Sequence, residues 1–315
     1  MTTTVDSMLD RIKRRITVPS NQVLLDDDNM LVMANDVVRE RLIPLMMSVN
    51  QNYFVVRTDI EVVADQSEYS IPYRSIGRGL RDLKMQRSED ENAISQMSLI
   101  ALEDAHLFGQ GATPPLYFYF RGDKIVLVPV PIEDDTFVMQ VWYNLQPSRF
   151  ILTTDAARVA SVSGATVTCD SVPAELVAGV DIDFIEGRSG CSILEMDVSI
   201  QGVSGNQITF ASADVVPPSL AEGDYISVAT TTPVVQLPDE ALPLLECWTG
   251  ERICYAIGDF DGAQILAQRS ADMEKNLRMI LEPRIEGAQT KIVNRRGLLR
   301  GQGFSTWRYR GGYVL

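Results

Sequence analysis

Asp181, Asp183 and Glu186 are the nearest thing to a catalytic constellation in this 315-residue chain. Cleaving a glycosidic bond takes two carboxyl groups flanking it, one as acid and one as base or nucleophile. Asp181 and Asp183, however, alternate along the segment VDIDFI. Two carboxylates at strand spacing share a face, and the simpler expectation is that this face meets solvent.

Other chemistries lack their residues. The single histidine, His106, falls near the end of a helically spaced segment with no cysteine or serine partner at a recognisable spacing, so a surface or satisfied imidazole is expected. There is no G-x-S-x-G, no glycine-rich phosphate loop and no ligand-spaced Cys or His cluster. Cys169, Cys191, Cys247 and Cys254 form no C-x-x-C pair. Cys247 and Cys254 stand seven residues apart in a helical run and read as two buried, reduced thiols on one face. The Asp26-Asp27-Asp28 cluster has no glycine or later glutamate at EF-hand spacing and reads as a helix cap. Arg121-Gly122-Asp123 reads as the turn of a hairpin rather than an adhesion motif. The expectation is a protein with no enzymatic activity, no metal and no cofactor.

The elements that frame these residues alternate between two periods. Residues 5–17 place Val5, Met8, Leu9, Ile12 and Ile16 on one helical face, and a long helix follows the aspartate cluster through Met30, Leu31, Val37, Val38, Leu42 and Leu45. From Tyr53 the period becomes two, and YFVVRTDIEVVADQSEYSIP reads as a pair of strands around a turn at Asp65-Gln66, with a further strand over residues 80–87. Residues 94–108 return to helical spacing. A hairpin over residues 116–128 and a strand over residues 136–143 complete a strand trio ending before Pro147. Residues 151–232 then carry turn signals every eight to fifteen residues, among them Ser163-Gly164, Gly179 and Ser204-Gly205-Asn206. That rhythm predicts a small antiparallel barrel or sandwich of about five to seven strands. Helical patterning resumes after Pro238 as two helices around a break near Gly258-Asp259.

Charge is unevenly spread over the net −14. Residues 284–315 hold seven basic residues against Glu286, a net of +6, so the rest carries −20. Residues 151–232 hold eleven acids against Arg158 and Arg188, a net of −9. Such a body repels a nucleic-acid backbone. Phe184, Phe210 and Tyr225 are the only aromatics in that segment, too few for a base-stacking or sugar-binding platform. In the basic C-terminal stretch, Arg295, Arg296, Arg300, Arg308 and Arg310 accompany Phe304, Trp307, Tyr309 and Tyr313. Arginine and aromatics among glycines suit an arm that orders on a partner. The N-terminus MTTTVDSMLDRIKRR has no apolar h-region, so no signal peptide is expected, and no apolar run reaches membrane-span length.

The linear order of FVVRTDIEVVADQSEYSIP, YFRGDKIVLVPVP and LPDEALPLLECWTGERICYAIGDFDGA resembles that of head-to-tail adaptor proteins of short-tailed bacteriophages. The resemblance implies a virion protein, made in the host cytoplasm, that forms a ring of twelve copies beneath the portal. Helices would line the DNA channel, DNA would pass without specific binding, and a C-terminal arm would reach the portal. Portal protein and tail or nozzle proteins would be its partners, with no membrane involved. The expected fold class is α+β: a helical body with a small antiparallel strand region, an inserted all-β barrel or sandwich, and an extended arm. The expected divisions are residues 1–150 and 233–283 for the body, 151–232 for the insert and 284–315 for the arm. A competing reading is a tail or baseplate protein whose β module contacts sugar or a tail fibre. A carboxylate glycosidase is the remote one.

Overall fold

The computed structural model describes residues 3–16, 26–87, 90–108, 115–132, 137–188 and 192–282. Its first helix, α1 (Val5–Ile16), buries Val5, Met8, Leu9 and Ile12, the apolar positions of the 3.6-residue pattern. The aspartate cluster is a cap: the Asp26 side chain accepts the Asp27 N–H at 2.8 Å where α2 (Asp27–Val37) begins. A π-helical turn over Val38–Leu42 carries the chain into α3 (Ile43–Val49). Pro44, with no N–H to offer the preceding turn, accompanies this widening.

Two further helices come from the far end of the sequence. α5 (Leu242–Ile257) stops at Gly258, whose φ of 83° is left-handed. The Asp259 carboxylate then accepts the Gly262 N–H at 2.9 Å and caps α6 (Phe260–Leu281). The five helices enclose one core, with Met8, Met30, Leu42, Met46, Leu245, Trp248 and Leu277 all buried. Cys247 and Cys254 lie buried on the α5 face turned to Ala263 and Leu266, as their spacing predicts.

Eight strands form two sheets beside the helices. In chain order they are β1 (Val55–Glu61), β2 (Glu68–Ser70), β3 (Ser75–Arg87), β4 (Asp90–Gln96), β5 (Ser98–Leu99), β6 (Tyr117–Arg121), β7 (Lys124–Val128) and β8 (Phe137–Leu145). A short helix, α4 (Ala105–Phe108), lies between β5 and β6. The first sheet runs β1-β8-β3-β4 and the second β2-β7-β6-β5. Between them Leu83, Met85, Ile125, Leu127, Met139 and Val141 are buried in a second core.

The β6–β7 hairpin turns at Gly122, φ 64°, as expected. Three other expectations fail. β1 and β2 do not pair with each other but go to different sheets. β8 leaves the hairpin and sits between β1 and β3. Residues 94–108 are not one helix; only Ala105–Phe108 is α-helical. The open edge of β3 captures β4, the Met97 N–H bonds Leu83 O at 3.0 Å, and the Ile100 N–H bonds Phe118 O at 2.9 Å. Ladders with distant partners outweigh a three-residue spacing that stays inconclusive over so short a stretch.

The remaining strands are β9 (Arg149–Phe150), β10 (Ala157–Ser163), β11 (Thr166–Cys169), β12 (Asp181–Ile185), β13 (Ile193–Ser199), β14 (Gly202–Ser204), β15 (Gln207–Thr209), β16 (Tyr225–Val228) and β17 (Thr231–Thr232). Seven of them form one sheet, ordered β13-β12-β16-β10-β11-β15-β14. Its core is its own: Phe184 and Phe210 stack 5.2 Å apart among buried Val167, Ile182, Ile208 and Ile226. The two outermost strands, β13 and β14, are separated in sequence only by Ile200 and Gln201, so the sheet curls round until its ends meet. No ladder joins them among the described residues, and the expected barrel is therefore not closed. β9 and β17 pair in parallel, Arg149 with Thr231 and Phe150 with Thr232, which sets the entry and exit of this segment side by side.

Candidate interaction surface and the seam behind it

The residues expected to carry partner binding, Arg295, Arg296, Arg300, Phe304, Trp307, Arg308, Tyr309, Arg310 and Tyr313, lie outside the described residues. The described part shows instead how the helices and the seven-stranded sheet are fastened, and which surfaces are left over.

Asp183 overturns its expectation. Its side chain does not face solvent: the residue is fully buried on β12. Both terminal guanidinium nitrogens of Arg74 donate to it, Nη1 to Oδ2 at 2.9 Å and Nη2 to Oδ1 at 2.7 Å. The Asp197 and Thr230 N–H groups add bonds of 3.2 and 3.0 Å. Both donors sit at positive φ, 58° and 70°, which non-glycine residues adopt only when the surroundings hold them there. Arg74 itself, 4% exposed, also donates to Asp197 Oδ1 at 2.7 Å. Burial disfavours the guanidinium charge, yet hydrogen bonds and charge from Asp183 and its neighbours outweigh that and raise the Arg74 pKa. A bidentate, four-times-bonded carboxylate is a fastening, not a proton carrier. With Asp181 exposed beside it and Glu186 half-buried, the glycosidase arrangement has lost its inner member.

Arg74 lies between β2 and β3, so this pair is a bolt between the first eight strands and the seven-stranded sheet. Asn35 on α2 supplies another fastening at the entry point. Its amide donates to Phe150 O at 3.1 Å and its carbonyl accepts the Phe150 N–H at 2.8 Å. At the exit, the Val5 N–H bonds Pro233 O at 2.9 Å and the Val235 N–H bonds Thr3 O at 3.0 Å. The only sequence signal for the bolt was an aspartate flanked by Ile182 and Phe184 in a strand whose last four residues are buried.

The other candidate residues have structural explanations. His106 is exposed, with Nδ1 at 2.7 Å from Glu103 O. In the Arg-Gly-Asp turn, Arg121 pairs with Glu68 and Asp123 with Arg78 at 2.5 Å. Among the described residues no group of three or more His, Cys, Asp or Glu is placed to hold a metal. Burial pushes the Cys169 thiol up to about 11, and those of Cys247 and Cys254 upward as well. Only the thiolate reacts with a disulfide reagent, so these three are expected to label only on unfolding. Titration of the native protein with a chromogenic disulfide should count at most one fast thiol, Cys191; two or more would contradict this burial.

Charge also knits the helices. Buried Glu246 on α5 receives Arg11 at 2.8 Å and Arg15 at 2.5 Å from α1, as ion pairs rather than aligned hydrogen bonds. Arg41 lies over the Trp248 ring at 5.8 Å and pairs with Glu251 at 3.2 Å. Arg252 reaches Glu40 at 3.0 Å. The outward side of the α5–α6 hairpin is mixed: Tyr255, Phe260, Ile265 and Ile280, all more than half exposed, stand among exposed Asp261, Arg269, Asp272 and Lys275. Large apolar side chains left in water are candidates for contact with a partner. No helix among the described residues is long and apolar enough to cross a membrane.

No curated protein matches the sequence. The family model described as SU10 adaptor protein does match, over residues 3–180. The match takes in α1–α3, both four-stranded sheets and the start of the seven-stranded one; α5 and α6 lie beyond it. Spanning more than half of the chain, it shows that this protein belongs to the SU10 adaptor family of bacteriophage structural proteins.

Proposed function

We propose that the protein is a ring subunit of the virion's head–tail junction, joining the portal to the tail and lining part of the channel through which DNA is ejected. Membership of an adaptor family carries this reading. The ring would be closed and cyclic, of twelve copies, with the exposed apolar side chains of the α5–α6 hairpin packed against neighbouring copies. A body of net charge −20 outside residues 284–315 suits a channel wall that lets DNA slide without holding it. The role is structural, with no cofactor and no catalytic step.

On the same reading residues 1–150 and 233–283 form the adaptor body, and residues 151–232 an inserted module. Residues 284–315 form the arm that meets the portal, or tail and nozzle proteins. Its arginines would pair with carboxylates and its aromatic side chains fill pockets. Truncation after Asn294 is expected to leave solubility and thermal stability nearly unchanged while abolishing attachment to portal rings. Cosedimentation with purified portal checks it. Truncated protein that joins portal with undiminished affinity would remove the docking role from this segment.

A further inference from the structure

β1 and β13 are both outermost strands, β1 of its four-stranded sheet and β13 of the seven-stranded one. They bound a single groove from opposite sides. Its wide part, about 570 Å³, lies between Arg57, Thr58 and Ile60 on β1 and Glu195, Met196 and Asp197 on β13. Met196 also lines the narrower continuation of about 310 Å³, between residues 53–56 and Ser192-Ile193. Neighbouring residues of a strand point to opposite faces. Where Arg57 and Thr58, or Glu195, Met196 and Asp197, line the same space, that space runs along the strand's edge. An edge presents unpaired N–H and C=O groups to whatever enters.

Neither seven-residue strand contains the proline or lysine that often blunts an edge, although on β13 the Asp197 N–H is already taken by Asp183. The floor offers the Thr58 and Tyr143 hydroxyls, 3.2 Å apart. The rim is acidic: Glu195 is exposed, while the two cations that line the groove are engaged, Arg57 by Asp59 at 2.8 Å and Arg74 by Asp183 and Asp197. A mainly apolar slot with an acidic rim, set between two sheet edges, fits an extended segment that carries both aromatic side chains and arginines. Residues 304–310, FSTWRYR, are such a segment: strand-favouring aromatics and threonine, two arginines, and no acid. The stretch beyond Glu282 spans on the order of 100 Å when extended, enough to reach an adjacent subunit.

We propose that this groove receives residues 304–310 from the arm of a second copy as an added β-strand. The proposal rests on the ring reading above, in which every copy offers one groove and one arm. On this proposal Phe304, Trp307 and Tyr309 fill pockets of the neighbouring copy, and Arg295, Arg296, Arg300 and Tyr313, outside the inserted stretch, are left to the portal.

The test uses the full chain with Trp307→p-benzoylphenylalanine, mixed with an equal amount of isotope-labelled chain and irradiated. Cross-links are expected to join labelled to unlabelled chains, to map to residues 53–61 and 192–197, and to fall at least fivefold when Glu195→Lys reverses the rim charge. Glu195 is exposed, so that change leaves the fold intact. Cross-links elsewhere, within single chains only, or unaffected by Glu195→Lys overturn the proposal. Failure here with portal attachment intact removes the groove assignment alone; lost portal attachment with the cross-links intact removes the junction reading alone.

Discussion

Replacing Arg74 with methionine is expected to cost about 3–5 kcal/mol of folding stability, because it strands the Asp183 carboxylate in the interior. Asp183 is fully buried and Arg74 nearly so, and water cannot replace the lost guanidinium. The two remaining backbone donors, from Asp197 and Thr230, do not neutralise the charge. Adding Asp183→Asn removes that charge while its amide oxygen keeps an acceptor for one of the two N–H groups. The double variant should therefore be more stable than the sum of the single losses, with a coupling of about 1–3 kcal/mol. Urea midpoints of the four proteins measure this. A loss below about 1 kcal/mol for Arg74→Met would show that the pair is not the bolt described.

Removal of residues 152–231, the proposed insert, should do less harm to the helices than that one substitution does to the protein. Replacing residues 152–231 with a short Gly/Ser linker takes away the seven-stranded sheet together with its own core. The cut ends already lie side by side, since Arg149 pairs with Thr231 and Phe150 with Thr232. Asn35 keeps Phe150 fastened to α2, and closing a short linker costs little. Arg74, no longer opposite Asp183, is expected to reach water. Circular dichroism should retain the helical signal of α1–α3, α5 and α6. Loss of that signal would place residues 151–232 in the same cooperative unit as the body.

The helices were legible because their instructions are local. Met8, Leu9 and Ile12 mark a face, Asp26 a start, Gly258 with Asp259 a stop and restart, and each acts within one turn. The Gly122 turn was legible for the same reason. Strand partners were not. β1 finds β8 across some eighty residues, and nothing in YFVVRTDIEVV names that partner over the nearer β2. Residues 94–108 went astray because the deciding influence was the vacant edge of β3. The site followed the same rule. The proposed arm rests on composition alone, whereas Arg74 and Asp183 are 109 positions apart and become partners only when the fold brings them together. The groove likewise exists only once two separate sheets set their edges opposite each other.

The junction reading is tested most directly by an asymmetric reconstruction of the intact virion with this chain traced in its density. A ring of twelve copies is expected on the particle axis, between portal and tail, with the α5–α6 hairpins in contact around it. Density for the chain anywhere off the portal–tail axis would contradict that reading.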